Sequence, residues 1–539
     1  MKNLSLAVAL LFMSIHFSLA RNYYVSIDGK ATNNGLSAAK PLQDLQAAAN
    51  LTLPGDTVFV MQGTYNTPCT GCNILTIQRS GTPSAYIVYR NYPGHKPKLK
   101  FSGWQAISIQ DGASYIRVIG FEIEGPNQSV TLTEALSQPG SCKNPNQTTP
   151  NPKYNGNGIT VTGRTGKMPH HIILSQNTIH DCGAAGIGVM HADYLTIEDN
   201  LVYNNSWYTI YGTSGISLYQ LKNYDNTLTG YRNHVRRNKC YQNRLLVPWA
   251  AGGCEITDGN GIIIDDLMNT QNGSKLGPYT GRTIVENNVV WYNGGTGIHT
   301  LLSEHVDIFN NTAYMNNQSA NINSGQILSN SSNDVRIVNN ILYAPAGKVV
   351  NSNYNSTNLV YQYNLHFNNS ITLVGQVHIT NLTTNPQFVS PGNSLNADFR
   401  LKDSSPAINK GSTKIYSKTD MLLKKRPAGA VPDLGAYENT SSQSGRLKAE
   451  LPEADQSDEL PIRIYPNPLP AQARLHIQSE QESIETVEGF GGNSQLLLSV
   501  PGEGQEMEVA LPATMPRGLL VLKVTTESGR SKLQKILVE

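Results

Sequence analysis

Short polar and apolar phrases recur along this chain at intervals that fit the coils of a solenoid. An Asn followed by apolar or aromatic residues begins seven of these phrases, at Asn177, Asn200, Asn238, Asn288, Asn311, Asn340 and Asn364. The steps from Asn177 to Asn200 and from Asn288 to Asn311 are both 23 residues, which is a typical length for one coil. The units are rich in Val, Ile, Tyr and Thr and are broken by Gly or Asn, so they predict strands and turns rather than helix pairs. We therefore expect an all-β chain built on a parallel β-helix, with an Asn ladder at one corner.

A second phrase, Gly-Ile, predicts another side of the same coil. It occurs at Gly158, Gly186, Gly215, Gly261 and Gly297, and Gly325 continues the column with Gln326 in place of Ile. Alternation along a strand sends the second and fourth residues after Gly outward. In successive coils, the fourth residue after Gly is Thr162, Met190, Tyr219, Asp265, Leu301 and Ser329, which we call the fourth column. The fifth residue, or fifth column, is Gly163, His191, Gln220, Asp266, Leu302 and Asn330. This register places the adjacent carboxylates Asp265 and Asp266 on one outward-facing wall.

The composition narrows the range of partners. Of 539 residues only 15% are charged, and the formal net charge is +2. That balance argues against nucleic acid or an anionic membrane as the main partner. A solenoid can reach this length because each coil contacts only its neighbours, and we expect a monomer.

The ends of the chain carry processing signals. Residues 1–20 combine Lys2, an apolar run and Ser18-Leu19-Ala20, which predicts a secretory signal peptide. Neither this run nor any later one is long enough to span a membrane comfortably. The β-helix is expected over residues 21–438, with a helix from Leu42 to Leu51 that caps its open end. A polar linker over 439–460 then precedes a small β-sandwich over 461–539.

Six cysteines in an exported chain indicate disulfide bonds, although their connectivity does not follow from the sequence. The spacing of Cys69 and Cys72 favours a local disulfide over a zinc or redox pair, because no second cysteine pair or His cluster accompanies it.

One coil concentrates the candidate chemistry. The segment from Cys254 to Leu267 contains four carboxylates, Glu255, Asp258, Asp265 and Asp266, which suit either a calcium site or an acid/base pair. The alternative interpretation is purely structural: Asp258-Gly-Asn-Gly forms a turn, and Asp266 caps a turn. We expect His299, one coil later, to lie on the same wall and join Asp265 and Asp266 in catalysis. Candidate sugar-binding residues are His191, Tyr208, Tyr211, Tyr219 and Arg244.

The opening segment from Tyr23 to Tyr65 resembles the start of secreted β-helix proteins of the pectate-lyase-like superfamily, whose right-handed fold would cover residues 22–438. The phrase Ile464-Tyr-Pro-Asn-Pro468 and the basic apolar tail at Lys532–Glu539 resemble the C-terminal sorting domain of the Bacteroidetes type IX secretion system. That resemblance implies export by this machinery to the medium or the outer cell surface of a Gram-negative bacterium, with removal of the domain. An ordinary carbohydrate-binding sandwich is the alternative.

The superfamily resemblance implies action on a polysaccharide, and three hypotheses follow. The first is a calcium-assisted lyase that cleaves an acidic, uronate-containing chain by β-elimination. No Lys or Arg lies between Glu255 and Asp266, so its base would come from Lys222, Arg244, Lys275 or Arg282. The second is an inverting glycoside hydrolase that uses paired carboxylates. The third is a non-catalytic, carbohydrate-binding surface adhesin.

Overall fold

The computed structural model describes residues 20–164, 167–368 and 380–440 and, in the C-terminal part, residues 462–465, 469, 474–490, 496–511, 518–527 and 531–538. The predicted signal peptide lies outside the described residues except for Ala20, and so does the predicted linker except for its first two residues. The Pro-Asn-Pro part of the sorting phrase also falls outside them.

Three parallel sheets wind around one axis, and each complete coil contributes one strand to each sheet in turn. The first sheet contains Asn22–Val25, Thr57–Val60, Ile87–Asn91, Ile116–Ile119, His170–Ser175, Asp193–Glu198, Tyr231–Arg236, Arg282–Glu286, Glu304–Phe309, Asn333–Val338 and Thr357–Gln362. The second contains Thr64–Asn66, Lys98–Lys100, Glu122–Glu124, Thr178–His180, Leu201–Tyr203, Lys239–Tyr241, Val289–Trp291, Thr312–Tyr314, Ile341–Tyr343, Leu365–Phe367 and Leu382–Thr383. The third contains Leu75–Ile77, Gln105–Ile109, Asn157–Thr162, Ile187–Met190, Ile216–Tyr219, Ile262–Asp265, Ile298–Leu301, Ile327–Asn330 and Asn351–Tyr354. The predicted right-handed parallel β-helix is confirmed.

The Asn residues of the repeat form the predicted ladder. The Asn288 amide donates to Oδ1 of Asn311 at 3.0 Å, and its own Oδ1 accepts from Nδ2 of Asn238 at 3.1 Å. The same bond links every consecutive pair from Asn177 to Asn364. Each Asn also donates to a backbone carbonyl, so the corner satisfies buried backbone groups that the strand ladders leave unpaired.

A second ladder, which the sequence analysis did not identify, runs at the next corner. It links Asn205, Asn243, Asn293 and Asn316, and Gln326 accepts the last bond. Gln326 therefore occupies the column position that Gly297 holds one coil earlier, because Ile327 pairs with Ile298 and Asn330 with Leu301. The predicted register of the last coil, with Ser329 in the fourth column, was wrong by one residue.

The core lies inside the coils and is built from the inward-facing Ile, Val and Leu of the three sheets. Helix α1, Leu45–Leu51, covers its N-terminal end with Leu45, Ala48 and Ala49, and the Asp44 side chain accepts from the Gln46 amide. The predicted capping helix is therefore confirmed, although it begins three residues later than expected.

Three insertions leave the coil on the side of the third sheet. Residues 125–156 carry α2, Leu132–Leu136, and α3, Pro152–Asn155, together with a 3₁₀ turn at Asn127–Ser129. Residues 242–261 and 266–281 carry 3₁₀ turns at Ala250–Gly252 and Gln271–Gly273. The step of 50 residues from Asn238 to Asn288 is longer than one coil and predicts loops within the last two, whereas the first was not anticipated.

Two paired strands, Phe388–Ser390 and Asp398–Leu401, follow the last coil. The segment up to Glu438 then packs back on the coils, and the buried Arg426 guanidinium bonds Glu438 at 2.7 Å.

The C-terminal unit is separate and antiparallel, and it has its own hydrophobic core. One sheet contains Ile462–Tyr465, Arg474–Ser479 and Glu506–Ala510, and the other contains Leu496–Gly504, Ile484–Phe490, Gly518–Thr526 and Ser531–Val538. This is the predicted small β-sandwich.

Four cysteines are paired. Cys69 bonds Cys72, as the spacing predicted, and Cys142 bonds Cys254 across two insertions. Cys182 and Cys240 are free and buried in the solenoid core, so the even count overstated the number of disulfide bonds.

Candidate functional site

The insertions border a cavity of about 480 Å³ on the outer face of the third sheet. Its floor is formed by outward-facing residues of successive strands from Asn157–Thr162 to Ile298–Leu301. Its walls come from the insertions, from the turn at Arg164, and from the segments that carry Trp104 and residues 211–213. This volume is typical of small-molecule sites.

Asp265 ends the strand Ile262–Asp265 and lines the cavity. Its Oδ1 accepts from the Gln271 side-chain amide at 2.9 Å. Burial, together with the nearby charges of Asp258 and Asp266, raises the pKa of Asp265 to about 8, although the hydrogen bond from Gln271 opposes the rise. A carboxyl group in this environment remains protonated at neutral pH and can donate a proton.

Asp258 lines the same cavity from the loop that precedes the strand. The Thr257 hydroxyl donates to its Oδ2 at 2.8 Å, and the Asn260 amide donates to its Oδ1 at 3.2 Å. Burial raises the pKa of Asp258 to about 6, and the two hydrogen bonds limit the rise. Asp258 is therefore ionised at neutral pH while Asp265 is protonated, so the two carboxyl groups suit different roles.

Asp266 does not face out, contrary to the prediction. It sits at the corner with a φ of 50° and is fully buried. Its carboxylate accepts from the backbone amides of Thr270 and Gln271, both at 2.8 Å. The Thr270 hydroxyl and the Gln220 amide also donate to it. Asp266 holds the loop that carries Gln271, and this buried position gives no support to its predicted catalytic and metal-binding roles.

Glu255 does not contribute to the cavity either. It is exposed in the 242–261 insertion, where its carbonyl accepts from the Trp249 amide. Asn260, a further candidate oxygen ligand, uses its Oδ1 to accept from the Thr296 amide at 2.8 Å. Of the four predicted metal-binding carboxylates, only Asp258 and Asp265 remain available. Because calcium takes six to eight oxygen ligands, this donor set does not fit a calcium ion.

His299 lies on the predicted wall, paired in register with Ile263. Its side chain is only 8% exposed, and burial lowers its pKa to about 4. Neither ring nitrogen has a hydrogen-bond partner in the part of the chain that the structure describes. His299 is not among the described residues that line the cavity, so the predicted catalytic role has no geometric support.

The predicted sugar-binding residues divide into two groups. Tyr211 and Tyr219 line the cavity, and the Tyr219 hydroxyl accepts from the Asn272 amide at 2.7 Å. Tyr208 instead packs in a buried cluster with Val130 and Val247, so it offers no stacking face.

His191 and Arg244 also lie away from the described cavity lining. His191 occupies a corner with a φ of 51°, beside Gln220. Arg244 is partly buried, and its Nε has no protein partner. The position of neither residue supports its predicted contact with a substrate in the cavity.

Trp104, Trp249 and Arg164 are among the cavity residues that the sequence did not indicate. Trp249 lies in an insertion that the coil spacing had identified, so an aromatic residue there was a usable signal. Trp104 and Arg164 carry no such signal, because their approach depends on the winding of the coils. Arg164 is the one Lys or Arg among the described residues that line the cavity.

A separate acidic group lies on the outer face of the second sheet. Ligand atoms of Glu122, Glu124 and His180 lie within 4.8 Å of one another. The Lys98 ammonium already contacts Glu122 at 2.8 Å and Glu124 at 2.6 Å. A lysine therefore neutralises these carboxylates.

No helix among the described residues has the length and apolarity that a membrane span requires.

Comparison with known proteins places this architecture. No curated protein matches the sequence significantly. Among solved structures, pectate lyase Pel9A is 17% identical, with 78% of this chain and 97% of that chain covered and a TM-score of 0.46. A rhamnogalacturonan lyase is 14% identical, with 79% and 98% covered and a TM-score of 0.34. A GH136 lacto-N-biosidase from Eubacterium ramulus is 18% identical, with 64% and 56% covered and a TM-score of 0.36. Residues 23–340 match the family model of the Pel9A-like right-handed β-helix region, and the chain therefore belongs to that family.

Proposed function

We propose that this protein is a glycan-degrading enzyme that hydrolyses a glycosidic bond with Asp265 and Asp258. One observation carries the proposal: two carboxyl groups share a cavity, and their surroundings raise their pKa values to different levels, about 8 and about 6. Glycoside hydrolysis requires one protonated and one ionised carboxyl group on either side of the scissile bond.

In this mechanism Asp265 protonates the glycosidic oxygen as the bond to the anomeric carbon breaks. The Asp258 carboxylate acts on the opposite side, either by taking a proton from the attacking water or by attacking the anomeric carbon itself. Gln271 orients Asp265 through its amide, and Asn260 and Thr257 orient Asp258. Asp266 contributes indirectly because it fixes the backbone of Gln271.

The test is the release of new reducing ends from a panel of plant and bacterial polysaccharides and their oligosaccharides. Asp265→Asn and Asp258→Asn should each lower the rate by about 10²–10⁴-fold, whereas the exposed Asp28→Asn should not. Proton NMR of the first product identifies its anomer and so decides between inversion and retention. Unchanged rates in both cavity variants would refute the assignment.

The second candidate is β-elimination on a uronate chain. It is favoured by membership of the Pel9A-like family and by Arg164, the one basic side chain among the described cavity residues. In this reaction Arg164 would take the proton next to the uronate carboxyl group. The bond from the adjacent ring carbon to the glycosidic oxygen would then break, and this oxygen would leave with the electron pair and take up a proton. The product would contain a conjugated double bond that absorbs in the ultraviolet.

Arg164→Ala separates the two reactions. It should abolish elimination, whereas hydrolysis by the carboxyl pair would continue. Chelation of calcium with EDTA tests the predicted metal dependence, and the donor set in the cavity leads us to expect no loss of activity. Binding of a glycan with neither product would favour the adhesin hypothesis.

We also propose that the C-terminal sandwich is a type IX sorting domain, which is removed during export to the medium or the outer cell surface. The residues quoted from the sequence support this assignment. Mass spectrometry of the exported protein from a producing bacterium should find a C-terminus between residues 439 and 461. A full-length exported chain would contradict the assignment.

A further inference from the structure

The floor of the cavity includes a register column of four outward-facing residues. Thr160 pairs with Gly188, Gly188 with Ser217, and Ser217 with Ile263, and all four line the cavity. We propose that Thr160, Gly188 and Ser217 form a subsite for one sugar ring beside the carboxyl pair. This subsite rests on the proposed action on a glycan and adds the place where the ring binds.

Two hydroxyl groups of the column have no partner among the described residues. Neither Thr160 Oγ1 nor Ser217 Oγ makes a hydrogen bond to any of them, although both oxygens are shielded. Shielded polar groups in proteins are nearly always paired, so an unpaired hydroxyl on a cavity floor points to a ligand. Rotation about the Cα–Cβ bond lets each hydroxyl meet a group above the floor.

The spacing of the two strands that carry these hydroxyls is compatible with one sugar ring. Thr160 and Ser217 are two strands apart, which corresponds to about 9.5 Å in a sheet. A hydrogen bond of roughly 2.75 Å at each end leaves about 4 Å between the two ligand oxygens. Non-adjacent hydroxyls of a single pyranose ring are separated by a distance of this size.

Gly188 lies between the two hydroxyls, and neither its backbone nor its neighbours require glycine. It is not among the glycines with positive φ, and an added Cβ would meet only Asn157 Oδ1 at 3.8 Å and Cγ at 4.0 Å, and Ala185 Cβ at 3.9 Å. Glycine weakens a strand because it lacks a side chain to pack. The glycine in the Ile187–Met190 strand instead keeps the floor flat where a ring would rest.

The residues around the column indicate on which side of Asp265 the ligand lies and what chemistry it has. The column extends from Ile263, in the strand of Asp265, towards the N-terminal coils, where Trp104 forms part of the wall. Tyr211 is 43% exposed and Trp104 is 36% exposed, so both offer apolar surface to a sugar ring. The column itself carries hydroxyl groups and no charge, so it suits an uncharged, hydroxyl-rich ring face.

Binding is tested with Asp265→Asn, whose neutral side chain prevents proton donation, on an array of defined oligosaccharides from plant and bacterial polysaccharides. When Gly188→Val is combined with Asp265→Asn, it should abolish binding of every glycan that Asp265→Asn alone still binds, because the valine side chain occupies the space above the floor. Thr160→Val with Ser217→Ala should weaken binding by at least about tenfold. Thr196→Val, on the outer face of the first sheet, is the matched control and should leave binding unchanged.

Thermal unfolding of each variant separates loss of the subsite from loss of the fold, and Gly188→Val should not lower Tm because valine suits a strand. Retained glycan binding in Gly188→Val, or binding of no glycan by any form, would overturn the subsite. Binding that depends on Gly188 while the wild-type protein releases no reducing ends would confirm the subsite and reject hydrolysis.

Discussion

At the scale of single residues, the pH dependence of activity follows from the two carboxyl groups. Asp258 must be ionised, so kcat/KM should rise as pH increases through about 6. Asp265 must be protonated, so kcat/KM should fall as pH increases through about 8. A rate profile measured with any hydrolysed glycan should therefore be bell-shaped, with its maximum near neutral pH. A profile that keeps rising above pH 8 would exclude Asp265 as the proton donor.

Gly212 offers a second test, because a Cβ at this position would lie 2.7 Å from Oδ2 of Asp258 and 3.4 Å from Cδ2 of Trp249. In Gly212→Ala the Asp258 carboxylate must move, so we expect kcat to fall about tenfold or more, since small displacements of reacting groups are costly. The fold should persist because the nearest contact is the end of a side chain. Gly392→Ala, with nothing within 4 Å of its Cβ, is the control, and equal kcat values would argue against a role for Asp258.

The sequence identified the right coil but not the right pair of carboxylates. The pattern of alternation placed Asp265 outward correctly. It failed for Asp266 because the strand ends at Asp265, and the next residue turns into the left-handed corner that His191 and Gln220 share. Asp258 was identified only as one of four carboxylates. Its distinct protonation depends on burial by other coils, which a linear pattern does not encode.

At the scale of the elements, the Asn ladder is the feature that the sequence predicted best. Its spacing is fixed by the coil length, and each Asn makes the same bonds. Substitution of Asn288 by Ala removes the acceptor for the Asn238 backbone amide and side chain, and the donor to Val235 and Asn311. We expect a loss of about 3 kcal/mol in the free energy of unfolding.

Urea unfolding followed by circular dichroism measures the effect. The exposed Asn226→Ala, outside the ladder, should change the free energy of unfolding by less than about 0.5 kcal/mol. Equal stability of the two variants would show that the ladder does not stabilise the coils.

The disulfide between Cys142 and Cys254 connects two insertions near the cavity, 112 residues apart in sequence. The backbone amide of Cys254 also donates to the Trp249 carbonyl, so the bond restrains the segment that carries a cavity wall. Cys142→Ser with Cys254→Ser should raise KM several-fold and make this loop sensitive to protease, with little effect on the coils. Cys69→Ser with Cys72→Ser is the control, and an unchanged KM in both double variants would contradict the proposed restraint.

At the scale of the whole molecule, the solenoid was predictable because its repeat is written in local sequence, coil by coil. The insertion at 125–156 and the position of Trp104 beside the cavity could not be predicted in this way. Both precede Asn177, the first member of the Asn repeat, and so neither interrupts the repeat. The one-residue error at Gln326 has a related cause. A Gly-based column could not reveal that Gln326 replaces glycine in order to accept from Asn316.

The two units have separate hydrophobic cores, which leads to a prediction about truncation. A protein of residues 21–438 should keep the Tm and the kinetic constants of the β-helix, because it retains every described cavity residue and the closing segment. Removal of residues 410–438 as well should lower Tm, since Asn339 donates to the Ile415 carbonyl, Asn310 donates to that of Asp433, and Arg426 bonds the Asn287 side chain. Differential scanning calorimetry of both proteins measures the difference. If the protein that also lacks residues 410–438 kept its Tm, the closing segment would be dispensable for stability. If the protein of residues 21–438 lost its activity, the C-terminal unit would be needed for catalysis and would not be a removable domain.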